Sequence, residues 1–391
     1  MRKLFAILFV SFFASAVFAQ QDTLTIVQQL IQKKKYESAM NLLQCADSNN
    51  NRPDYVIAKT ELVLNYFVTS IMHQFFALKD LKPNEDVDDY RGLSGNYSLI
   101  YFAPDSLLKR LKTIYPDNYL LYKTLGDFYR SVDNNYGNWL SDSVLDYMYE
   151  NYDIAYHHGV FDEKSLFCLG YYHLLNQAYE KSIPFFLKSL ELNPQNADCH
   201  YNVAYAYIYA EKPDLAVPHV KKSFTLYKDN NLKSDAARML GVIYFQRKDY
   251  VSALKYFRKA DKILPDDFNT QMYILDAQLG LNDKKSVATT IKIFNLEPGH
   301  PAICKSLTDS YIRAGKAYDL ISFFLNRIQY FSFDDMSLGT IYYYLGDLYR
   351  EIKLSIKAQM AYVKAKELLQ KAGYDDDEIY RSIDDYLDNP N

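Results

Sequence analysis

The stretch from Leu240 to Pro265, LGVIYFQRKDYVSALKYFRKADKILP, holds two apolar stripes of helical spacing on either side of a short polar turn. Leu240, Gly241 and Tyr244 belong to the first stripe, Ala253, Phe257 and Ala260 to the second, and Pro265 closes the segment. The same slots recur upstream. Leu169-Gly170 and Val203-Ala204 are equivalent to Leu240-Gly241, Tyr179 to Tyr250, and Ser182 and Ala216 to Ala253. Pro184, Lys188 and Ser189 return 34 residues later as Pro218, Lys222 and Ser223. The third copy is displaced by three extra residues within Lys228 to Lys233, a polar turn where an array tolerates insertion. A register of this length predicts helical hairpins that bury their apolar faces against their neighbours.

Each unit reads as two amphipathic helices. In one copy Leu166, Leu169, Gly170 and His173 form the first stripe, and Ile183, Phe186, Leu187 and Leu190 the second, ending at Pro194. Small residues fit at Gly170, Ala204 and Gly241 because two crossing backbones leave no space for a longer side chain. Pro184 and Pro218 are expected near the start of the second helix, where a missing amide proton costs little.

These residues resemble the tetratricopeptide repeat family. Leu240, Gly241, Tyr244, Tyr250, Ala253, Phe257, Ala260 and Pro265 reproduce its pattern in full, and Leu169, Gly170, Tyr179, Phe186 and Pro194 nearly so. Leu345, Gly346, Tyr349, Ala358, Tyr362 and Ala365 form another copy. Leu125, Gly126 and Tyr129 open one whose second helix, near Tyr152 and Ala155, is delayed by an insertion. The segments 125–130 and 345–350, LGDFYR and LGDLYR, are almost identical. Residues 268–298 and 301–330 are degenerate copies. The resemblance implies an all-α fold, a right-handed superhelical solenoid of about seven helix-turn-helix repeats.

The resemblance also implies a binding surface, since first helices in this family line the inner groove. If Gly170, Ala204 and Gly241 face the helix contacts, the opposite side carries Phe167 and Tyr171, then Tyr201, Tyr205 and Tyr209, then Arg238, Val242 and Phe245. By that likeness these side chains form an aromatic trough, flanked by Lys123, Asp127 and Arg130 and, at the far end, by Lys305, Asp309, Tyr343 and Arg350. The chain holds 38 Tyr and 23 Phe against one Trp, more Tyr than interior packing can absorb. Tyr offers a stiff contact face and a hydroxyl, and it also serves as filler between helices. The family's clamp for a C-terminal carboxylate needs Asn and Lys where Phe167, Tyr171 and Tyr205 stand, so a clamp of that kind is not expected.

Before residue 117 the pattern thins. Tyr36, Ala39, Leu43 and Ala46 look like the second helix of a first unit, and Asp54 to Leu81 reads as one long helix. Asp80 to Pro104, acidic and holding Gly92 and Gly95, reads as a surface loop. The organisation expected is therefore a signal peptide at 1–19, divergent helical repeats at 20–116, the repeat array at 117–372 and a capping helix at 373–391 with Ile379, Ile383 and Leu387 inward. No Gly/Ser/Pro-rich linker divides the 391 residues.

The leader is expected from Arg2 and Lys3, the apolar run Leu4 to Phe13 and the small residues of Ala16-Val17-Phe18-Ala19, with Gln20 as the mature N-terminus. The first cysteine is Cys45, too far from the cut for a lipoprotein, so the product is expected in the periplasm of a Gram-negative cell or outside it. The formal charge of −4 becomes −6 without Arg2 and Lys3, which gives no basic field for nucleic acid. Cys45, Cys168, Cys199 and Cys304 form no C-x-x-C pair. Export would permit a disulfide between Cys168 and Cys199, on neighbouring first helices, and both also read as small buried hydrophobes.

Motifs for chemistry are missing. There is no H-E-x-x-H, phosphate loop or G-x-G-x-x-G, and Gly92-Leu93-Ser94-Gly95 is followed by Asn96 rather than completing a nucleophile elbow. His157-His158 point about 100° apart on a helix, and Asp375-Asp376-Asp377-Glu378 suits a helix N-terminus better than calcium. The expectation is a non-enzymatic exported scaffold without cofactor or metal, holding a protein or peptide segment. A glycan-binding helical-repeat protein is the alternative, because sugars stack on aromatic faces.

Overall fold

The computed structural model describes residues 23–92, 95, 97–136, 143–330 and 334–389. The expected leader lies outside the described residues, as do Leu93, Ser94, Asn96 and Trp139. The chain forms two compact units, one up to Pro194 and one from Gln195. In the first, α1 (23–32), α2 (Tyr36–Ala46) and α3 (Pro53–Tyr66) precede a small sheet of β1 (Thr69–Ile71), β2 (Phe75–Ala77) and β3 (Ile100–Tyr101). Then follow α4 (Pro104–Ile114), α5 (Tyr119–Tyr136), α6 (Val144–His157), α7 (Glu163–Leu175) and α8 (Tyr179–Leu192).

The second unit is a run of helix pairs: α9 (Ala197–Tyr209) with α10 (Pro213–Leu226), α11 (Asn230–Gln246) with α12 (Tyr250–Ile263), and α13 (Phe268–Gly280) with α14 (Ser286–Phe294). Next come α15 (Pro301–Arg313) with α16 (Ala317–Tyr330), and α17 (Asp335–Glu351) with α18 (Ser355–Lys371). The final helix α19 (Asp377–Asp388) places Ile383 in a cluster with Ala358, Tyr362 and Ala365. Outside the small sheet, the architecture is one of helical hairpins, as the repeat register predicts.

The small slots have a measurable reason. A Cβ added at Gly241 would lie 2.3 Å from the Phe257 ring, one at Gly346 2.5 Å from the Tyr362 ring, and one at Gly170 2.9 Å from the Phe186 ring. Each ring comes from the second helix of the same hairpin, 16 residues on. Gly126 meets Tyr152 at 2.5 Å across the longer α5–α6 connection. Where alanine takes the slot, at Ala204, the residue 16 positions on is Val220, and both are fully buried. A methyl on one side is therefore matched by a smaller side chain on the other.

The hairpin turns repeat as closely. Gln177, Glu211, Lys248, Asn282, Gly315 and Lys353 all adopt left-handed backbone with φ of 54–66°. In each case the next amide reaches back five residues, as Ala178 N–H does to the His173 carbonyl at 2.8 Å and Lys212 N–H to the Tyr207 carbonyl at 2.8 Å. First helices start under side-chain caps from Asp162, Asn196, Asp229, Asp267 and Asp334, and Asp376 caps α19. Pro184 and Pro218 sit one turn further in than the sequence suggested, at the sixth residues of α8 and α10. They have no N–H for the Glu180 and Asp214 carbonyls, and both prolines lie on the exposed face, where water can serve instead.

The single long helix expected over Asp54–Leu81 is overturned: α3 ends at Tyr66 and the chain turns into β1 and β2. Strands pair antiparallel, Thr69 opposite Ala77 and Phe76 opposite Ile100. Apolar content was misread as helical periodicity. Phe75, exposed, and Phe76, buried, point to opposite sides as strand residues do. Residues 72–74 connect the strands, with Met72 and His73, both at φ 49°, at the centre of a turn in which the Gln74 amide donates to the Ile71 carbonyl at 3.1 Å. The His73 ring is buried between Phe67, Phe76 and Phe128, with its Nε2 3.0 Å from Ser131 Oγ on α5.

All four cysteines are free thiols, and burial pushes Cys168 and Cys304 up to about 12, so neither is a ready nucleophile.

Two outcomes follow from these contacts. Gly241→Ala is expected to lower unfolding free energy by about 1–3 kcal/mol despite alanine's better helix propensity. Combined with Phe257→Val, it should lose at least about 1 kcal/mol less than the two single losses together in denaturant titrations. Burial holds the His73 imidazole down at about 4. The unfolded chain, titrating near 6.5, therefore takes up the proton first. The resulting stabilisation is whole above about pH 6.5 and is lost as the pH falls toward 4. His73→Gln should flatten that stretch of the stability profile by at most about 3 kcal/mol, measured by urea unfolding at a series of pH values.

Candidate functional site

Residues spaced by four on a helix share a face, and α9 places Tyr201, Tyr205 and Tyr209 on one such line. The Tyr205 and Tyr209 rings lie 4.5 Å apart, tilted by 35°, and Tyr209 is 54% exposed. Tyr201 is half-buried. Its ring meets Tyr227 edge-on at 6.3 Å, and burial together with the nearby Asp235 raises its hydroxyl pKa. Tyr227 in turn donates to Asp198 at 2.8 Å, so the inner end of this line is built into the hairpin.

On α11, Arg238 pairs with Asp235 and reaches Asp267 at 2.9 Å, tying α11 to the cap of α13. Phe245 is half-buried with its ring 5.3 Å from Tyr250. Farther along the same unit, Lys305 and Asp309 pair at 2.6 Å on α15. Tyr343 of α17 is half-buried against Tyr344 and Tyr362, and its hydroxyl lies 3.4 Å from Ser382 of α19. Arg350 is half-exposed, pairs with Asp347 at 3.0 Å and stands over the Tyr386 ring. Beside it a shallow cleft of about 880 Å³ runs between the α17–α18 turn and α19, bounded by Lys353, Arg381 and Asp385 among others.

The two near-identical LGD segments now have a cause. Where the ring facing the glycine is tyrosine rather than phenylalanine, its hydroxyl is buried and must donate. Asp127, directly after Gly126, accepts from Tyr152 at 2.8 Å, and Asp347, directly after Gly346, accepts from Tyr362 at 2.6 Å. Burial, with the aspartate beside each, raises both phenol pKa values. Arg130 and Arg350 follow three residues later and approach the same carboxylates. Both arginines therefore carry a structural load that their place on the expected trough did not disclose.

In the first unit the expected flank is an ion network. Lys123 pairs with Asp127 at 2.9 Å and with Asp162, the cap of α7, at 2.5 Å. Those two carboxylates raise the Lys123 pKa against the opposing pull of burial. Glu61 of α3 stands near this cluster, its carboxyl pushed up chiefly by burial; a residue 62 positions away gave no sequence signal. Phe167 and Tyr171 of α7 lie parallel with ring centres 6.0 Å apart, Phe167 also touching Phe186, and Tyr171 is exposed. The expected contact residues thus fall into two sets: Lys123, Asp127, Arg130, Phe167 and Tyr171 in the first unit, the others in the second.

Sequence reasoning missed two polar pairs. His200 and His219 face each other across α9 and α10 with their Nδ1 atoms 3.0 Å apart. Burial and the neighbouring ring hold His219 down at about 4. Tyr129 donates to Asp105 at 2.6 Å at the edge of a 220 Å³ cavity between the β-hairpin, α4 and α5. The adjacent pair His157-His158 is accounted for locally: His158 stacks on Tyr119 at 3.6 Å, and His157 lies 2.8 Å from the Asp153 carbonyl. Among the described residues no group of three or more His, Cys, Asp or Glu is arranged to hold a metal ion, and no helix is long and apolar enough to cross a membrane.

Comparison with known proteins agrees with the repeat register. Residues 164–196 and 239–267 match one tetratricopeptide repeat model and residues 185–217 another, so repeats of this class are present in the chain. A TPR repeat-containing protein of Methanocaldococcus jannaschii is 28% identical over 96 residues, covering 25% of this chain and 16% of the relative. Anaphase-promoting complex subunit 3 of Schizosaccharomyces pombe is 28% identical over 94 residues, covering 24% and 14% respectively. The chain therefore spans less than a fifth of the length of either curated relative. Among solved structures, a tetratricopeptide repeat protein from Parabacteroides merdae aligns with TM-score 0.43 at 13% identity, covering 67% of this chain and 99% of the other. YrrB, described as a TPR protein with an unusual peptide-binding site, aligns with TM-score 0.41 at 16% identity, covering 50% and 95%.

The hydroxyl–carboxylate pairs show which residues of the expected face are held inside the fold. Tyr362→Phe is expected to cost about 1–2 kcal/mol, because Asp347 loses a donor in a poorly solvated position. Arg350→Ala, removing a half-exposed partner of the same carboxylate, should cost under about 1 kcal/mol. Equilibrium unfolding of both variants checks the order.

Proposed function

We propose that this chain is a non-enzymatic scaffold, exported after removal of residues 1–19, that holds a protein or peptide segment against the inner faces of its first helices. One observation carries the reading: the Tyr201, Tyr205 and Tyr209 line on α9, in which the outer two rings are close together and the last is largely open to solvent. Monomeric surfaces rarely leave large aromatic side chains in a row, and rigid tyrosines contribute contact area with little loss of side-chain freedom. Phe245 in the same unit, and Phe167 with Tyr171 in the first unit, extend the aromatic supply. Tetratricopeptide repeats at 164–217 and 239–267 support an interaction role of this kind.

The segment favoured is extended or helical and partly apolar, with donors or acceptors for the tyrosine hydroxyls. Lys123, Arg130, Tyr343 and Arg350 are secondary contributors in this reading, since each already has a partner within its own unit.

Peptides selected by display against the purified chain provide the test. Tyr205→Ala with Tyr209→Ala should weaken the selected peptides by about 10- to 100-fold in titration calorimetry, aromatic anchors being worth over about 1 kcal/mol each. The helical circular dichroism should not change. Peptides that bind the double variant with undiminished affinity would remove α9 from the site.

A further inference from the structure

Consecutive antiparallel hairpins packed side by side put all their internal turns on one edge and all their connections to the next hairpin on the other. In the second unit these two edges carry opposite charge. The five internal turns, 210–212, 247–249, 281–285, 314–316 and 352–354, hold Lys212, Arg247, Lys248, Lys284, Lys285, Lys316 and Lys353 against Glu211, Asp249 and Asp283, a formal +4. The opposite connections, 227–229, 264–267, 295–300, 331–334 and 372–376, hold Asp229, Asp266, Asp267, Glu297, Asp334, Asp375 and Asp376 against Lys228 alone, a formal −6.

The acidic edge has a local explanation, because Asp229, Asp267, Asp334 and Asp376 are side-chain caps. On the basic edge Arg247 pairs with Asp214 at 2.5 Å, but capping does not explain the lysines. Lys212 and Lys285 occupy the N-cap positions of α10 and α14 without a side-chain cap bond, and Lys316 immediately precedes α16. Capping and the helix dipole both favour Asp, Asn or Ser there and disfavour a cation. A residue that breaks a local capping rule marks a place to look for function.

Beside these cations the same edge exposes apolar side chains in register. The second residue of α12, α14, α16 and α18 is Val251, Val287, Tyr318 and Ile356, exposed to 69%, 57%, 62% and 75%, and Leu215 near the start of α10 is exposed as well. Apolar tips flanked by lysine, one set per hairpin, match a surface that is anionic outside and apolar a few ångströms below. We propose that this edge of the second unit docks on an anionic lipid surface, the tips entering the interface and the lysines pairing with headgroups, while the acidic edge faces away. Separate tips spaced by a hairpin each suit a fluid bilayer better than the single continuous patch of a protein interface. The proposal concerns a different face from the tyrosine line.

Co-sedimentation of the full chain with vesicles tests it. Vesicles of phosphatidylcholine with about 30% phosphatidylglycerol should bind at least about tenfold more strongly than pure phosphatidylcholine at 0.1 M salt, and most of the gain should vanish near 0.5 M. Lys212→Asn, Lys285→Asn and Lys316→Asn together should lower partitioning about 100-fold, each lysine being worth about fivefold, while the melting temperature holds or rises because the caps improve. Val251→Ser with Ile356→Ser should also lower it, at unchanged charge. Tyr205→Ala with Tyr209→Ala should leave vesicle binding intact, which separates this surface from the peptide site. Equal binding to neutral vesicles, no binding to anionic ones, or full binding by the lysine triple variant would overturn the proposal. Binding of an acidic protein by the same lysines without any vesicle binding would overturn it too, and would reassign the edge.

Discussion

The contact on which the hairpins depend is a backbone pressed against an aromatic ring. At Gly126, Gly170, Gly241 and Gly346 the first helix passes so close to a ring of the second that no Cβ fits. This closeness lets two short helices bury a shared apolar strip, and neither helix is long enough to be stable alone in water. It also makes the glycine's entropic disadvantage in a helix worth bearing. The pairing of Ala204 with Val220 shows that the constraint acts on the two positions jointly. In the degenerate hairpin of α13 and α14, Leu275 and Ile293 are both buried in one cluster, and α14 is cut to nine residues.

Tyrosine in the ring position brings a polar atom into that contact and must be satisfied there. Asp127 and Asp347 meet the need, each lies where solvent is scarce, and each in turn attracts an arginine one turn on. A chain of consequences therefore runs from one hydroxyl to the residues on the first-helix face. Arg130 and Arg350 serve the hairpin first, whatever else they touch. On α9 the small slot is Ala204 and the facing position is the aliphatic Val220, so this hairpin has no ring hydroxyl at that contact, while Tyr205 and Tyr209 pack ring to ring.

Repetition constrains the ends of the helices as well as their middles. In each of the described hairpin turns from α7–α8 to α17–α18 one residue adopts left-handed backbone, met by Gln177, Glu211, Lys248, Asn282, Gly315 or Lys353. Every first helix needs an acceptor for its opening amides, met in most hairpins by aspartate. The second requirement alone draws negative charge to one edge of the array. The other edge carries positive charge and apolar tips at helix starts where capping would favour Asp, Asn or Ser.

From the sequence alone, the hairpin register, the small slots, the facing aromatics and the terminal helix with Ile383 inward could be read, because each is a spacing within about 35 residues and helix geometry converts spacing into contact. Four features were decided only by tertiary structure. These are the β-hairpin at residues 69–77, the burial of His73 against α5, the Lys123–Asp127–Asp162–Glu61 cluster and the facing His200–His219 pair. Apart from Lys123 and Asp127, four apart on α5, they join residues on different helices or strands, where no fixed period links the partners. Apolar content in 54–81 suited helix and strand alike until the buried face was known. Of the candidate contact residues, the pattern placed each on its helix face. Which of them already spend their charge or hydroxyl inside the fold depended on neighbours that come together only when the chain is packed.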